Sequence, residues 1–175
     1  MTQTYDRQFP APLAAAMACP FDYDGGDGVD FEPFPAFLSA VDTTDWIQAW
    51  TGNTEVDGDD FRVFGQDGTG GYAAFWLVRP GRVAAEQPIV FLGSEGETGV
   101  VARDLGDFLW LPADGFGPWE AVAPYGPDRT SHPQQGLTAI AERFAPDRRA
   151  SAAAVIELAT REFPDFGDVI AELCR

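Results

Sequence analysis

The sequence predicts an α+β fold: a single domain with a mixed, mostly antiparallel sheet of about four to six strands, backed by N- and C-terminal helices. Three observations predict it. Strand-like runs concentrate between Phe61 and Arg103, helical spacing of apolar residues lies on either side, and strands do not alternate with helices. A chain of 175 residues that is 45% apolar, with 14 Phe, 5 Trp and 4 Tyr, has the core-forming surface for one such domain. This aromatic content also sets it apart from disordered acidic chains.

Residues 1–21 read as an Ala/Pro-rich, poorly ordered leader. Within it, LAAAMAC (Leu13 to Cys19) resembles a signal peptide ending at a lipidated cysteine, but the run is too short and is broken by Pro10 and Pro12. The predicted domain occupies 22–175, with a core over 31–113 and a C-terminal helical extension over 133–175. Phe34, Phe37, Leu38 and Val41 follow the spacing of one helix face. Thr43 or Thr44 can cap a second helical segment that places Trp46 and Trp50 one turn apart and stops at Gly52. After the acidic loop EVDGDD, Phe61 and Val63 alternate with Arg62, and GQDGTGG then supplies a turn into YAAFWLV (Tyr72 to Val78). That second strand is apolar on both faces, as a central strand must be.

Pro88 opens PIVFLG, a further continuously apolar strand, and Gly93 to Glu97 turns the chain into Thr98 to Arg103. Asp104 has the position of an N-cap for a helix with Leu105, Phe108 and Leu109 on its inner side, ended by Pro112. Ala113 to Pro133 reads as a long loop bearing exposed Trp119 and Tyr125. Leu137, Ile140, Ala141 and Phe144 are helical in spacing, Pro146-Asp147 starts a helix through Val155, Ile156, Ala159 and Phe163, and a last turn covers Asp165 to Leu173.

Charge narrows the function. The formal net charge is −17, with no lysine among the 11 basic residues and a single histidine. Nucleic acid as a partner is excluded, since counterion release requires clustered positive charge, and an anionic membrane surface is disfavoured for the same reason. Lysine-dependent phosphate binding and Schiff-base chemistry are also excluded. The charge is uneven: residues 22–67 carry twelve acids against Arg62 alone, whereas residues 129–175 carry seven against six arginines. A block of that kind solubilises, or it attracts a cationic partner.

No motif supports an enzyme, a cofactor or a metal. Ser131, His132 and Asp128 lie together in a Pro/Gly-rich loop without the strained elbow a nucleophile needs. DYDGGDGVD (Asp22 to Asp30) has the composition of a calcium loop but fails its register, with Asp27 at the sixth position and Pro33 at the twelfth. GQDGTGG leads into a strand and not a helix, so it is a turn and not a phosphate cradle. Arg103 and Asp104 with Glu95 and Glu97 form no recognisable acid/base set. Cys19 and Cys174 are far apart in sequence, which fits a reducing cytoplasm; the alternative is a single disulfide joining the two ends. No stretch approaches the roughly 20 apolar residues of a membrane span.

The runs FGQDGTGGYAAFWLV (Phe64 to Val78) and PIVFLGSEGETGVVARDLGDFLWL (Pro88 to Leu111) resemble the core of the SUKH superfamily. That group contains the yeast Smi/Knr regulators of cell-wall synthesis and many bacterial immunity proteins. The matching features are the glycine-flanked strand pair, the phrase LGSEGE between two strands, and the Asp-led helix after VVAR. The resemblance implies a helix-backed sheet, no enzymatic activity, and, as in the bacterial members, neutralisation of a cognate toxin by direct binding. It supplies no catalytic residues. The acidic N-terminal portion and the C-terminal helices depart from the pattern.

Resemblance and charge together predict a cytoplasmic immunity protein whose acidic surface meets a basic toxin domain, such as a nuclease. The expected interface comprises Asp57, Asp59, Asp60 and Asp67 beside the first two long strands and Glu95 and Glu97 in the LGSEGE turn. Trp46, Trp50 and Tyr72 are the candidate aromatic anchors. The ordinary fates of such residues are solvation for the carboxylates and core packing for the rings. A regulatory scaffold module resembling the cell-wall regulators is the alternative.

Overall fold

In the computed structural model, which describes residues 7–123 and 130–175, the apolar runs pair with their sequence neighbours. Strands β1 (Glu32–Pro33), β2 (Phe61–Gln66), β3 (Tyr72–Trp76), β4 (Ile89–Leu92) and β5 (Thr98–Ala102) form one sheet in the order β1-β2-β3-β4-β5. Every pairing is antiparallel, so the sheet is not mixed. The register of β2 on β3 shifts at Gly65, where an added Cβ would collide with the ring of Phe31. Successive side chains alternate between the two faces: Ala73 and Phe75 point to one, Ala74 and Trp76 to the other, and all four are buried. Burial on both faces accounts for the unbroken apolar run of YAAFW.

One face carries the larger core. Phe64, Phe75 and Phe91 meet Phe108 and Leu109 of α3 (Leu105–Ala113), Leu13 of α1 (Ala11–Met17) and Leu137 of α5 (Gln135–Phe144). Truncating one of these phenylalanines to alanine would cost about 3–5 kcal/mol. On the second face Phe61, Val63, Trp76, Val90 and Leu92 lie beneath Ile47 of α2 (Ala40–Thr51) and Phe166 and Ile170 of α7 (Phe166–Leu173). Helix α6 (Ala152–Glu162) serves both, with Val155 in the first core and Ala159 in the second. The segment expected as an extension is therefore part of the core.

Several expectations need correction. Residues 11–17 of the expected disordered leader are a helix whose Leu13 and Ala16 have no solvent exposure; Pro10 and Pro12 set its N-terminus, where a missing N–H costs nothing. Phe34 to Val41 is not a helix face. The Phe34 N–H donates to Phe64 O (2.9 Å) and the Leu38 N–H to Val63 O (2.9 Å), so Phe34 to Leu38 runs along β2, whereas Val41 lies in the first turn of α2 and is 69% exposed. Helix α2 is capped by Ser39, whose Oγ accepts from Asp42 N (3.1 Å), and not by a threonine; it does stop at Gly52, which adopts φ +67°. Asp104 caps α3 as expected, but the helix continues through Pro112 to Ala113. The expected loop after it contains α4 (Pro118–Val122), and Trp119 packs against the larger core; Tyr125 lies outside the described residues. Pro146 to Arg148 is a single tight turn, and the helix that follows is capped by Ser151.

Candidate binding surface

The residues expected to form one interface fall at two separate places, because β2 runs between them. Asp57, Asp59 and Asp60 precede its first residue, while Asp67 follows its last. A strand of this length separates its ends by roughly 20 Å.

At the first place three aspartates crowd one loop. The Asp59 N–H donates to Asp57 Oδ1 (3.1 Å), Arg7 lies 3.9 Å from Asp59, and the Arg62 guanidinium donates to the carbonyls of Asp59 and Phe61. Partial burial, reinforced by the charges of Asp57 and Asp59 and opposed by Arg62, raises the Asp60 carboxyl above its ordinary value.

At the second place Asp67 is withdrawn from any interface. It is 1% exposed, and its Oδ1 accepts from the backbone N–H groups of Thr69 (3.0 Å) and Gly71 (2.8 Å) and from the Thr69 hydroxyl (2.9 Å). It holds the β2–β3 turn closed, a common use of aspartate beside glycine. Ser94 Oγ donates to Thr69 Oγ1 (2.8 Å), which ties this turn to the β4–β5 turn. Asp30 accepts from Gly68 N (2.8 Å) and donates its own N–H to the buried Glu120 (2.7 Å), so the turn end of the sheet is braced from outside. On that braced platform Glu95 is exposed and Glu97 half-buried.

The three anchor candidates gather at this second place. Trp46 and Trp50 are one turn apart on α2, and Tyr72 begins β3. Trp46 stacks on Tyr72 with centroids 4.4 Å apart and on Trp50 at 5.8 Å, and Phe34 meets Tyr72 edge-on at 6.0 Å. Trp50 Nε1 donates to Gly93 O (2.7 Å), locking the end of the stack to the β4–β5 turn. All three anchor rings are half-buried, packed against the second core and still reaching solvent. Burial, with a further contribution from Asp42, raises the Tyr72 phenol above its ordinary value.

Arg103 and Asp104 belong to an ion-pair network centred on Asp107. Asp107, nearly buried, accepts from Arg103 Nε (2.6 Å) and Arg148 Nε (2.8 Å), while Arg148 Nη2 also reaches Asp104 (2.7 Å). Hydrogen bonding to Asp107 raises the Arg103 guanidinium, and bonds to Asp104 and Asp107 raise Arg148 against the opposing effect of burial. Arg103 and Asp107, four apart, were the available signal; Arg148, 41 positions farther on, was not foreseeable. Ser131 donates to Asp114 O (2.6 Å) and Oδ1 (2.7 Å), so its hydroxyl is committed to structure, and Asp128 lies outside the described residues. Among the described residues no three His, Cys, Asp or Glu side chains gather as a metal site, and no helix is long and apolar enough to cross a membrane. Cys19 and Cys174 are free thiols, not a disulfide.

Comparison with family models, with curated proteins and with solved structures returned no significant match.

Proposed function

We propose that this chain is a non-enzymatic, SUKH-like immunity protein of the cytoplasm that binds and neutralises a cognate basic toxin domain. The observation that carries the reading is the half-buried stack of Trp46, Trp50 and Tyr72 on a braced sheet end, with both tryptophans inside the stretch 22–67 where twelve acids accompany Arg62 alone. Rigid aromatic rings provide anchoring area at small entropic cost, and surrounding carboxylates steer a cationic partner and reject anionic ones. A nuclease is cationic where it holds phosphate, so an acidic surface can take the substrate's place in its groove.

Co-expression with basic toxin domains tests the reading. Growth should be restored in proportion to a one-to-one complex that weakens as salt rises. Rescue by substoichiometric amounts would point to an enzyme, and capture of cell-envelope proteins without any rescue would favour the regulatory scaffold.

A further inference from the structure

Resting on that reading, we propose that the turn end of the sheet is the docking site and that its occupant is an arginine side chain of the basic partner, stacked on Trp50. Trp46 stacks with both Tyr72, at 4.4 Å, and Trp50, at 5.8 Å, and the half-buried Trp50 still reaches solvent, where a further planar group can add to the row. The Trp50 indole is held in place by its bond to Gly93 O, so little freedom is lost when a guanidinium settles on it. The same chain already uses this pairing, with Arg149 lying 5.4 Å from the Trp110 centroid.

Charge complementarity selects the occupant. Gly93 begins the turn that carries Glu95 and Glu97, and neither carboxylate forms an ion pair among the described residues. At the far end of the row, Asp42 lies one turn before Trp46 on the same side of α2, by its spacing of four residues. Anions therefore lie at both ends of a row of π-faces. A flat, delocalised cation satisfies ring and carboxylates together, whereas a lysine ammonium is compact and strongly hydrated and keeps its water more readily. The loop of Asp57, Asp59 and Asp60 offers charge without rings and contributes only long-range attraction.

The full chain, titrated with oligo-arginine and with oligo-lysine of equal length, separates these roles. Indole N–H resonances are followed, with Trp50 assigned through Trp50→Phe. The arginine peptide should move the Trp50 resonance and bind about tenfold more tightly than the lysine peptide. Glu95→Gln with Glu97→Gln, both on a surface turn, should remove most of that preference, while Asp59→Asn with Asp60→Asn should change affinity less than threefold, roughly the effect of screened remote charge. Equal affinities for the two peptides, or a Trp50 resonance that stays in place, overturn the inference. Loss of binding only in the Asp59/Asp60 variant also overturns it, yet leaves the basic-partner reading intact, because docking would then lie at the other end of β2.

Discussion

Two aspartate groups in this molecule are treated in opposite ways. Asp104 and Asp107 at the start of α3 are met by Arg103 and Arg148, and each carboxylate oxygen of Asp107 has a guanidinium partner. Among the described residues, Asp57, Asp59 and Asp60 before β2 have one distant contact from Arg7, and Arg62 donates to carbonyls; partial burial, with the charges of Asp57 and Asp59, raises the Asp60 carboxyl. The first group stabilises the fold and presents little to a partner. The second strains the fold and projects a field into solvent. Local density of acids is similar in both; what differs is where the arginines are.

The largest test of the contrast is Asp107→Ala. It removes the hub of the paired group and should lower the unfolding free energy by about 2–3 kcal/mol, somewhat less than a deeply buried pair costs, because both arginines reach water. Urea unfolding measures this, and a loss below about 0.5 kcal/mol would mean the network is an ordinary surface feature. Next in size, reversing Asp59 and Asp60 to arginine should slow association with a basic toxin about tenfold at low salt and flatten its salt dependence, with the dissociation rate unchanged. Stopped-flow traces at two ionic strengths decide it; faster dissociation would place the loop inside the interface.

The smallest effect concerns pH. The folded Asp60 carboxyl titrates above its ordinary value of 3.8, so its favourable contribution is complete below that pH and is lost as pH rises through the raised folded value. At neutral pH the ionised group is a burden. Asp60→Asn should therefore raise Tm slightly at pH 7 and leave it unchanged near pH 3, and a gain of equal size at both pH values would contradict the electrostatic origin.

What can be read from the residues follows the range of the interactions. The β2–β3 and β4–β5 hairpins, the Asp104 cap and the Gly52 stop depend on neighbours within a few positions and are legible. Phe34, Phe37, Leu38 and Val41 mislead because their spacing fits one helix face, while the backbone of Phe34 and Leu38 is claimed by β2, about 25 to 30 residues away, and only Val41 belongs to a helix. Helix α1 is hidden because prolines suggest disorder when read alone, and only the pocket that receives Leu13 shows that the segment is held. At the candidate site the three rings are legible as a group by type, yet their union with Glu95 and Glu97 depends on a single indole bond to Gly93. Asp67 looked like its acidic neighbours, and its burial follows from a turn geometry that composition does not reveal.

The nearest-neighbour order of the sheet has a consequence for how the protein is made. Strands β2 to β5 pair in sequence order, with short turns between β2 and β3 and between β4 and β5 and a longer connection from Leu77 to Pro88 between β3 and β4, so the sheet can zip in the order of synthesis. Its two apolar faces, however, are finished by α5, α6 and α7, which emerge only after the last strand. Between those events a nascent chain exposes Phe64, Phe75 and Phe91 on one side and Val63, Trp76 and Val90 on the other, a surface prone to association. Arrival of Gln135 to Leu173 is thus the step that commits the chain to its native state, and a ribosome stalled before that segment would hold a formed sheet that only a chaperone could shield.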